Sequence, residues 1–138
     1  MKKVLFGLIL SFVMVACTEK SSDCGDPEST NCELVLMDTQ NHFLVGAVYN
    51  QDSIRLQVGA HQINLNFDNG TIIFNFAGLD SVNSSDYILK LNNEDYDTLN
   101  LTIHKYVNAC WSGYRLDSLS YNNKIMVNIT ANRFEITK

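Results

Sequence analysis

The stretch Ile63-Asn64-Leu65-Asn66-Phe67-Asp68-Asn69-Gly70-Thr71-Ile72-Ile73-Phe74-Asn75-Phe76 decides the fold. Ile63, Leu65 and Phe67 alternate with Asn64 and Asn66, and Ile72, Phe74 and Phe76 alternate with Ile73 and Asn75. A period of two sends successive side chains to opposite faces of an extended chain, the pattern of a half-buried strand. Between the runs, Asp68-Asn69-Gly70 supplies residues that accept the positive φ of a tight hairpin. Two strands joined by a short turn are expected here.

The same period spreads outward in both directions. Ile54, Leu56 and Val58 alternate with Arg55 and Gln57, and Tyr87, Leu89 and Leu91 with Ile88 and Lys90. Leu99, Leu101 and Ile103 alternate with Asn100 and Thr102, Ile125, Val127 and Ile129 with Met126 and Asn128, and Phe134 and Ile136 follow. Leu34 to Met37 is apolar on both faces, which suits a central strand. Tyr114 and Leu116 share one phase while Leu119 and Tyr121 share the other, so a β-bulge is expected near Asp117. Asn122-Asn123 reads as a second tight turn. Residues 80–86 read as a loop or a single helical turn, and nothing longer has helical spacing.

Short strands at roughly 8–12-residue spacing predict an all-β fold. The expected form is an antiparallel β-sandwich of about seven to nine strands, immunoglobulin-like in architecture. A small up-and-down β-barrel is the alternative. The Cys…Trp…Cys spacing of antibody domains is missing, since the single tryptophan, Trp111, follows the last cysteine.

The start of the chain has a different character. Lys2 and Lys3 precede an apolar stretch over residues 4–15, and Ala16 stands directly before Cys17. About 12 apolar residues fall short of the roughly 20 that span a bilayer, and the layout is that of a secretory signal. Met14-Val15-Ala16-Cys17 resembles the lipobox of bacterial lipoproteins, in which the cysteine thiol is acylated and becomes the mature N-terminus. The expected organisation is a signal peptide at 1–16, a lipidated Cys17 with a flexible acidic tether to 31, and a β-sandwich domain at 32–138. Removing sixteen residues from 138 leaves one domain of ordinary size. It also removes two lysines, so a net charge of −5 becomes more negative still. Such an acidic domain is unsuited to nucleic acid, whose phosphates need basic contacts.

Cys24, Cys32 and Cys110 remain after lipidation, and an oxidising compartment favours one disulfide among them. A Cys24–Cys32 bridge would close a short ring over Gly25-Asp26-Pro27, and Cys32–Cys110 a much longer loop. Loop-closure entropy favours the long closure, so Cys32–Cys110 is the expected pair. Three unpaired thiols are the remaining alternative.

Catalytic chemistry finds little support in these residues. His42, His61 and His104 lack ligand spacing, and no serine lies in Gly-x-Ser-x-Gly. Glu94, Asp95 and Asp97 form an acidic cluster before a strand, which reads as a turn rather than a glycosidase pair or a calcium loop. No catalytic residue, cofactor or metal is expected. Trp111, with Tyr114 nearby, is either an aromatic binding loop for a sugar or protein, or a buried cap on the core. The usual burial of tryptophan favours the cap.

The triplets Asp52-Ser53-Ile54, Asp80-Ser81-Val82, Asp97-Thr98-Leu99 and Asp117-Ser118-Leu119 match the O-glycosylation acceptor of Bacteroidetes. They make Ser53, Ser81, Thr98 and Ser118 candidate acceptors. Asp-Ser and Asp-Thr also begin turns and strands through backbone hydrogen bonds, and that reading stands equally. Glu19, Asp23, Asp26 and Glu28 resemble the acidic surface-export signal of the same group, and Thr18 rather than Asp follows the cysteine, as in lipoproteins sent to the outer membrane. With Tyr49-Asn50-Gln51-Asp52-Ser53-Ile54 and Ser120-Tyr121-Asn122, these features resemble small lipoproteins of Bacteroidetes. The resemblance implies a cell-envelope location and a β-sandwich, and implies no activity. The expected role is a non-catalytic binding or scaffolding module on an outer-membrane lipid anchor, with an envelope protein or glycan as partner. The alternative is a lipocalin-like barrel whose Phe67, Phe74 and Phe76 line a cavity for an apolar ligand.

Overall fold

Leu34, Val35 and Leu36 are all buried, because β1 (Asn31–Met37) lies inside a sheet, between two hydrogen-bonded neighbours. The computed structural model describes residues 24–79 and 86–138; the leader, Cys17 and Ser81 lie outside the described residues. The other strands are β2 (Arg55–Val58), β3 (His61–Ile63), β4 (Asn66–Asp68), β5 (Thr71–Asn75), β6 (Tyr87–Lys90), β7 (Tyr96–Val107), β8 (Ser112–Tyr121), β9 (Lys124–Ile125) and β10 (Arg133–Thr137). A 3-10 turn, Gln51–Ser53, leads into β2.

The strands form two sheets, one ordered β10-β1-β5-β4 and the other β3-β2-β6-β7-β8-β9. All pairings are antiparallel except β1 with β10, which run parallel. The sheets pack as a sandwich and do not close on themselves, so the barrel alternative is overturned. Their facing surfaces are filled. Leu34, Leu36, Ile72, Phe74, Phe134 and Ile136 from the smaller sheet meet Leu56, Val58, Tyr87, Leu89, Leu99 and Leu119 from the larger in one continuous cluster. Each fully buried side chain of this kind contributes about 1.5–3 kcal/mol of transfer free energy. Phe74 and Phe76 are sealed in this core and Phe67 packs against it, so these rings fill the interior rather than line a lipocalin-like cavity.

Local turn chemistry sets the hairpins. Asn69 and Gly70 have φ of 45° and 78° between β4 and β5, and Asn122 and Asn123 have φ of 46° and 66° between β8 and β9. Ala131 and Asn132 repeat this geometry before β10. In the β7–β8 pair Thr102 faces Ser118 while Ile103 faces Leu116, leaving Asp117 as the extra bulged residue. The bulge is what lets both Leu116 and Leu119 point inward.

Two alternating runs behave differently from expectation. Residues 63–67 are not one strand: β3 belongs to the larger sheet, β4 to the smaller, and Asn64-Leu65 carries the chain across the edge between them. In residues 125–130 only the start is strand, and the apolar phase faces away from the core. Met126 packs against the interior, while Ile125, Val127 and Ile129 are exposed. Alternation reports that residues share a face; it does not say that anything covers it.

Candidate functional site

The end of the sandwich where residue 24 enters is built around the β7–β8 hairpin tip. Asn108 Oδ1 accepts hydrogen bonds from the backbone N–H groups of Cys110 (2.9 Å) and Trp111 (2.7 Å). The Asn108 N–H donates in turn to the Trp111 carbonyl (2.9 Å), closing a tight and well-tied turn. Cys110, in that turn, is bridged to Cys24. The expected Cys32–Cys110 pair is therefore corrected. Cys32 sits in the middle of the core on β1, sealed from the exposed tip, and burial with the neighbouring Glu33 charge pushes its thiol far up. Cys24–Cys110 closes an even longer loop than the expected pair, consistent with the entropic argument even though the partner differs.

This bridge also corrects the flexible tether. Residues 24–30 lie along the domain: Trp111 Nε1 donates to the Gly25 carbonyl (2.8 Å), Asn132 Nδ2 to the Ser29 carbonyl (2.9 Å), and the Phe76 N–H to the Thr30 carbonyl (2.9 Å). Trp111 is not a buried cap, being 42% exposed beside Val107, which is 76% exposed. Tyr114 lies one strand position up from Gly113, partly buried against the core, with Lys105 Nζ 5.9 Å from its ring centre. Trp111 and Tyr114 thus face different surroundings. Tyr106 instead neighbours Trp111, lining with it, Pro27 and Glu28 an open recess of about 230 Å³.

The opposite end holds a polar cluster. Lys138, just beyond β10, reaches Asp95 Oδ1 (2.7 Å) and Asp97 Oδ2 (2.6 Å) across the two sheets. The Tyr49 hydroxyl donates to Asp95 Oδ2 (2.5 Å), the Tyr121 hydroxyl to Asp97 Oδ2, and Asn122 Nδ2 to Asp97 Oδ1 (2.7 Å). Burial acts to raise the Asp95 carboxyl, but the Lys138 ammonium and the Tyr49 hydroxyl outweigh it and hold it below the usual carboxylate range. Burial opposes the Lys138 charge too, and the two carboxylates overcome it and raise its pKa. Burial, then the Asp97 hydrogen bond, pushes the Tyr121 hydroxyl well up. The carboxylates that read as a turn cluster are thus a latch. Their partners Tyr49, Tyr121 and Lys138 had no sequence signal, because they come from distant segments.

The remaining candidates are scattered. His42 Nδ1 lies 3.0 Å from Asp38 Oδ2, where the His42 backbone N–H does most to hold the Asp38 carboxyl low. His61 and His104 are exposed on β3 and β7. Among the described residues no three His, Cys, Asp or Glu side chains gather about one point. Ser53 Oγ is engaged, within 2.7 Å of the Asn50 carbonyl and 2.9 Å of the Leu91 carbonyl. Thr98 is half-buried on β7 between β6 and β8, and its preceding Asp97 is buried in the latch. Ser118 is half-buried next to the bulged Asp117, whose carboxylate pairs with Arg115 at 2.8 Å.

The exposed stripe is the other candidate surface. β9 ends the larger sheet, pairing with β8 on one side only. Ile125 on β9 is 74% exposed, and Val127 and Ile129 in the irregular chain that follows are 75% and 52% exposed. A further open recess of about 530 Å³ lies where the chain crosses from β3 to β4, lined by Arg55, Gln62, Asn64, Asn66 and Phe67.

No family model, curated protein or solved structure matches this chain.

Proposed function

We propose that this is a non-catalytic, lipid-anchored module of the bacterial cell envelope that binds an extended segment of another envelope polypeptide along its β9 edge. The observation that carries the reading is the exposed stripe Ile125, Val127 and Ile129, which begins on β9, the last strand of the larger sheet. The remaining edges are guarded in the usual ways: β3 and β4 are three residues each, and β10 carries Arg133 and Glu135. β9 is also short, two residues with Lys124 at its start, so what sets this edge apart is the run of exposed apolar side chains that begins on it. An extended segment pairing with the outer side of β9 and covering the apolar residues that follow it would have the geometry of β-augmentation. Asp95 and Asp97, the carboxylates best placed for acid–base work, are already engaged by Lys138 and two tyrosines, which favours binding over catalysis. The anchor rests on the lipobox at Cys17.

A photocrosslinker at Val127, in intact envelopes, tests the edge. The expected result is one adduct with a different envelope polypeptide, lost in Ile125→Asp/Ile129→Asp and not formed from Gln62 on β3. No adduct, or an adduct of two copies of this chain, overturns the reading.

A further inference from the structure

We infer that the β7–β8 hairpin tip is a membrane-contact surface, with Trp111 and Val107 seated in the interfacial layer of the bilayer that holds the acyl anchor. The inference rests on the lipid-anchor reading and goes beyond it, since an anchor alone leaves the domain free to tumble. Cys24 follows Cys17 by seven residues, which span at most about 25 Å when fully extended. The disulfide ties Cys24 to Cys110, so that reach ends at the tip itself rather than at a distant part of the domain. The tip is therefore the part of the sandwich whose distance from the acyl chains is most tightly limited.

The chemistry of the tip matches its placement. Trp111 and Val107 are exposed apolar groups on a turn that Asn108 holds in one shape. The indole Nε1–H is already satisfied by the Gly25 carbonyl, so the exposed ring can enter the interface without stranding a donor. Tryptophan partitions to this layer because its ring is apolar and its edge polar. Charge does not drive the contact: Asp26 and Glu28 near the tip offset Lys105 and Arg115 on the adjoining strands. The surface is therefore fitted to a zwitterionic bilayer, and adding anionic lipid should leave it unchanged.

Trp111 is the only tryptophan, so its emission reports the tip alone. The full-length acylated protein is reconstituted in phosphatidylethanolamine vesicles whose acyl chains carry bromine just below the headgroups. Emission should fall by at least about half relative to vesicles without bromine, equally with added phosphatidylglycerol. Val107→Asp, an exposed change that leaves the core intact, should cut that quenching about twofold or more. Cys24→Ser/Cys110→Ser, which frees the tether from the tip, should do the same while the protein stays on the vesicles. Protein shown to be acylated and vesicle-bound but unquenched overturns the inference and leaves the anchor standing. Protein that carries no acyl group overturns the anchor reading, and this inference with it.

Discussion

Lys138 Nζ lies 2.6 Å from Asp97 Oδ2, joining the end of β10 in the smaller sheet to the start of β7 in the larger. Asp97 is buried, and its charge is balanced only because Lys138, Tyr121 and Asn122 converge on it. Removing the cation strands a buried carboxylate, which costs more than the pair itself is worth. Lys138→Met should lower unfolding stability in urea by about 2 kcal/mol. Lys138→Met/Asp97→Asn should recover part of that loss, because the buried carboxylate is gone and only the more exposed Asp95 is left without its cation. Equal midpoints for Lys138→Met and the parent protein would show that the latch contributes nothing.

The latch also has a pH window. Asp95 is held below its unfolded value, so its contribution is present above about pH 4 and disappears as pH falls through the lowered folded value. Lys138 and Tyr121 are both raised, so their contributions are complete below about pH 10 and disappear as pH rises through the folded values. Chemical denaturation across pH should show a plateau between these limits. The gap between parent and Lys138→Met should be constant on the plateau and narrow above about pH 10. A gap that persists undiminished to the alkaline limit would count against this account.

The two asparagines of the β8–β9 turn should respond oppositely to glycine. Both have positive φ, where glycine relieves strain. Asn123 has only that role, so Asn123→Gly should be neutral or stabilise by about 0.5 kcal/mol. Asn122 also donates to Asp97 and accepts from the Thr98 N–H (2.8 Å). Asn122→Gly should cost about 1–2 kcal/mol in thermal or urea unfolding. Matching behaviour at both positions would contradict the separate role of Asn122.

The cysteines make a chemical prediction. Cys24–Cys110 closes a loop of 86 residues, worth about 4.5 kcal/mol in the chain-entropy account. Cys24→Ser should lower stability by an amount of that order. Cys32 should resist alkylation in the folded protein and react once the protein is unfolded, as expected of a buried thiol with a raised pKa. Mass spectrometry of alkylated protein, with and without urea, distinguishes the sites, and rapid native labelling of Cys32 would contradict its burial.

Much of the sandwich was legible residue by residue. Ile72, Phe74 and Phe76 alternate because β5 has one covered face, and Asn69-Gly70 turns because those residues tolerate positive φ. The phase change between Leu116 and Leu119 announced the Asp117 bulge for the same reason: a bulge is a local event with a local signature. The edges were not legible in this way. Leu65 and Val127 have the same alternating neighbours as Leu56, yet one lies in a crossover, one in the exposed chain after β9 and one in the core.

The candidate surfaces were harder still to see. Trp111 was expected to be buried because large rings usually are, but its turn is at the tip of the longest hairpin, beyond the reach of the facing sheet. Cys24 lies in a polar stretch with no apolar period, and nothing in that stretch records its bridge to Cys110.

Period, turn residues and phase changes act over a few neighbouring positions, so the chain by itself determined that these segments are strands, where several hairpins turn and where the bulge falls. Which sheet each strand joins, which cysteines meet, that Lys138 closes on Asp95 and Asp97, and that Ile125, Val127 and Trp111 stay uncovered were decided by tertiary structure alone. Those outcomes depend on contacts between segments far apart in sequence, as Arg133 with Glu33, 100 residues away, illustrates, and no local pattern records a partner so distant.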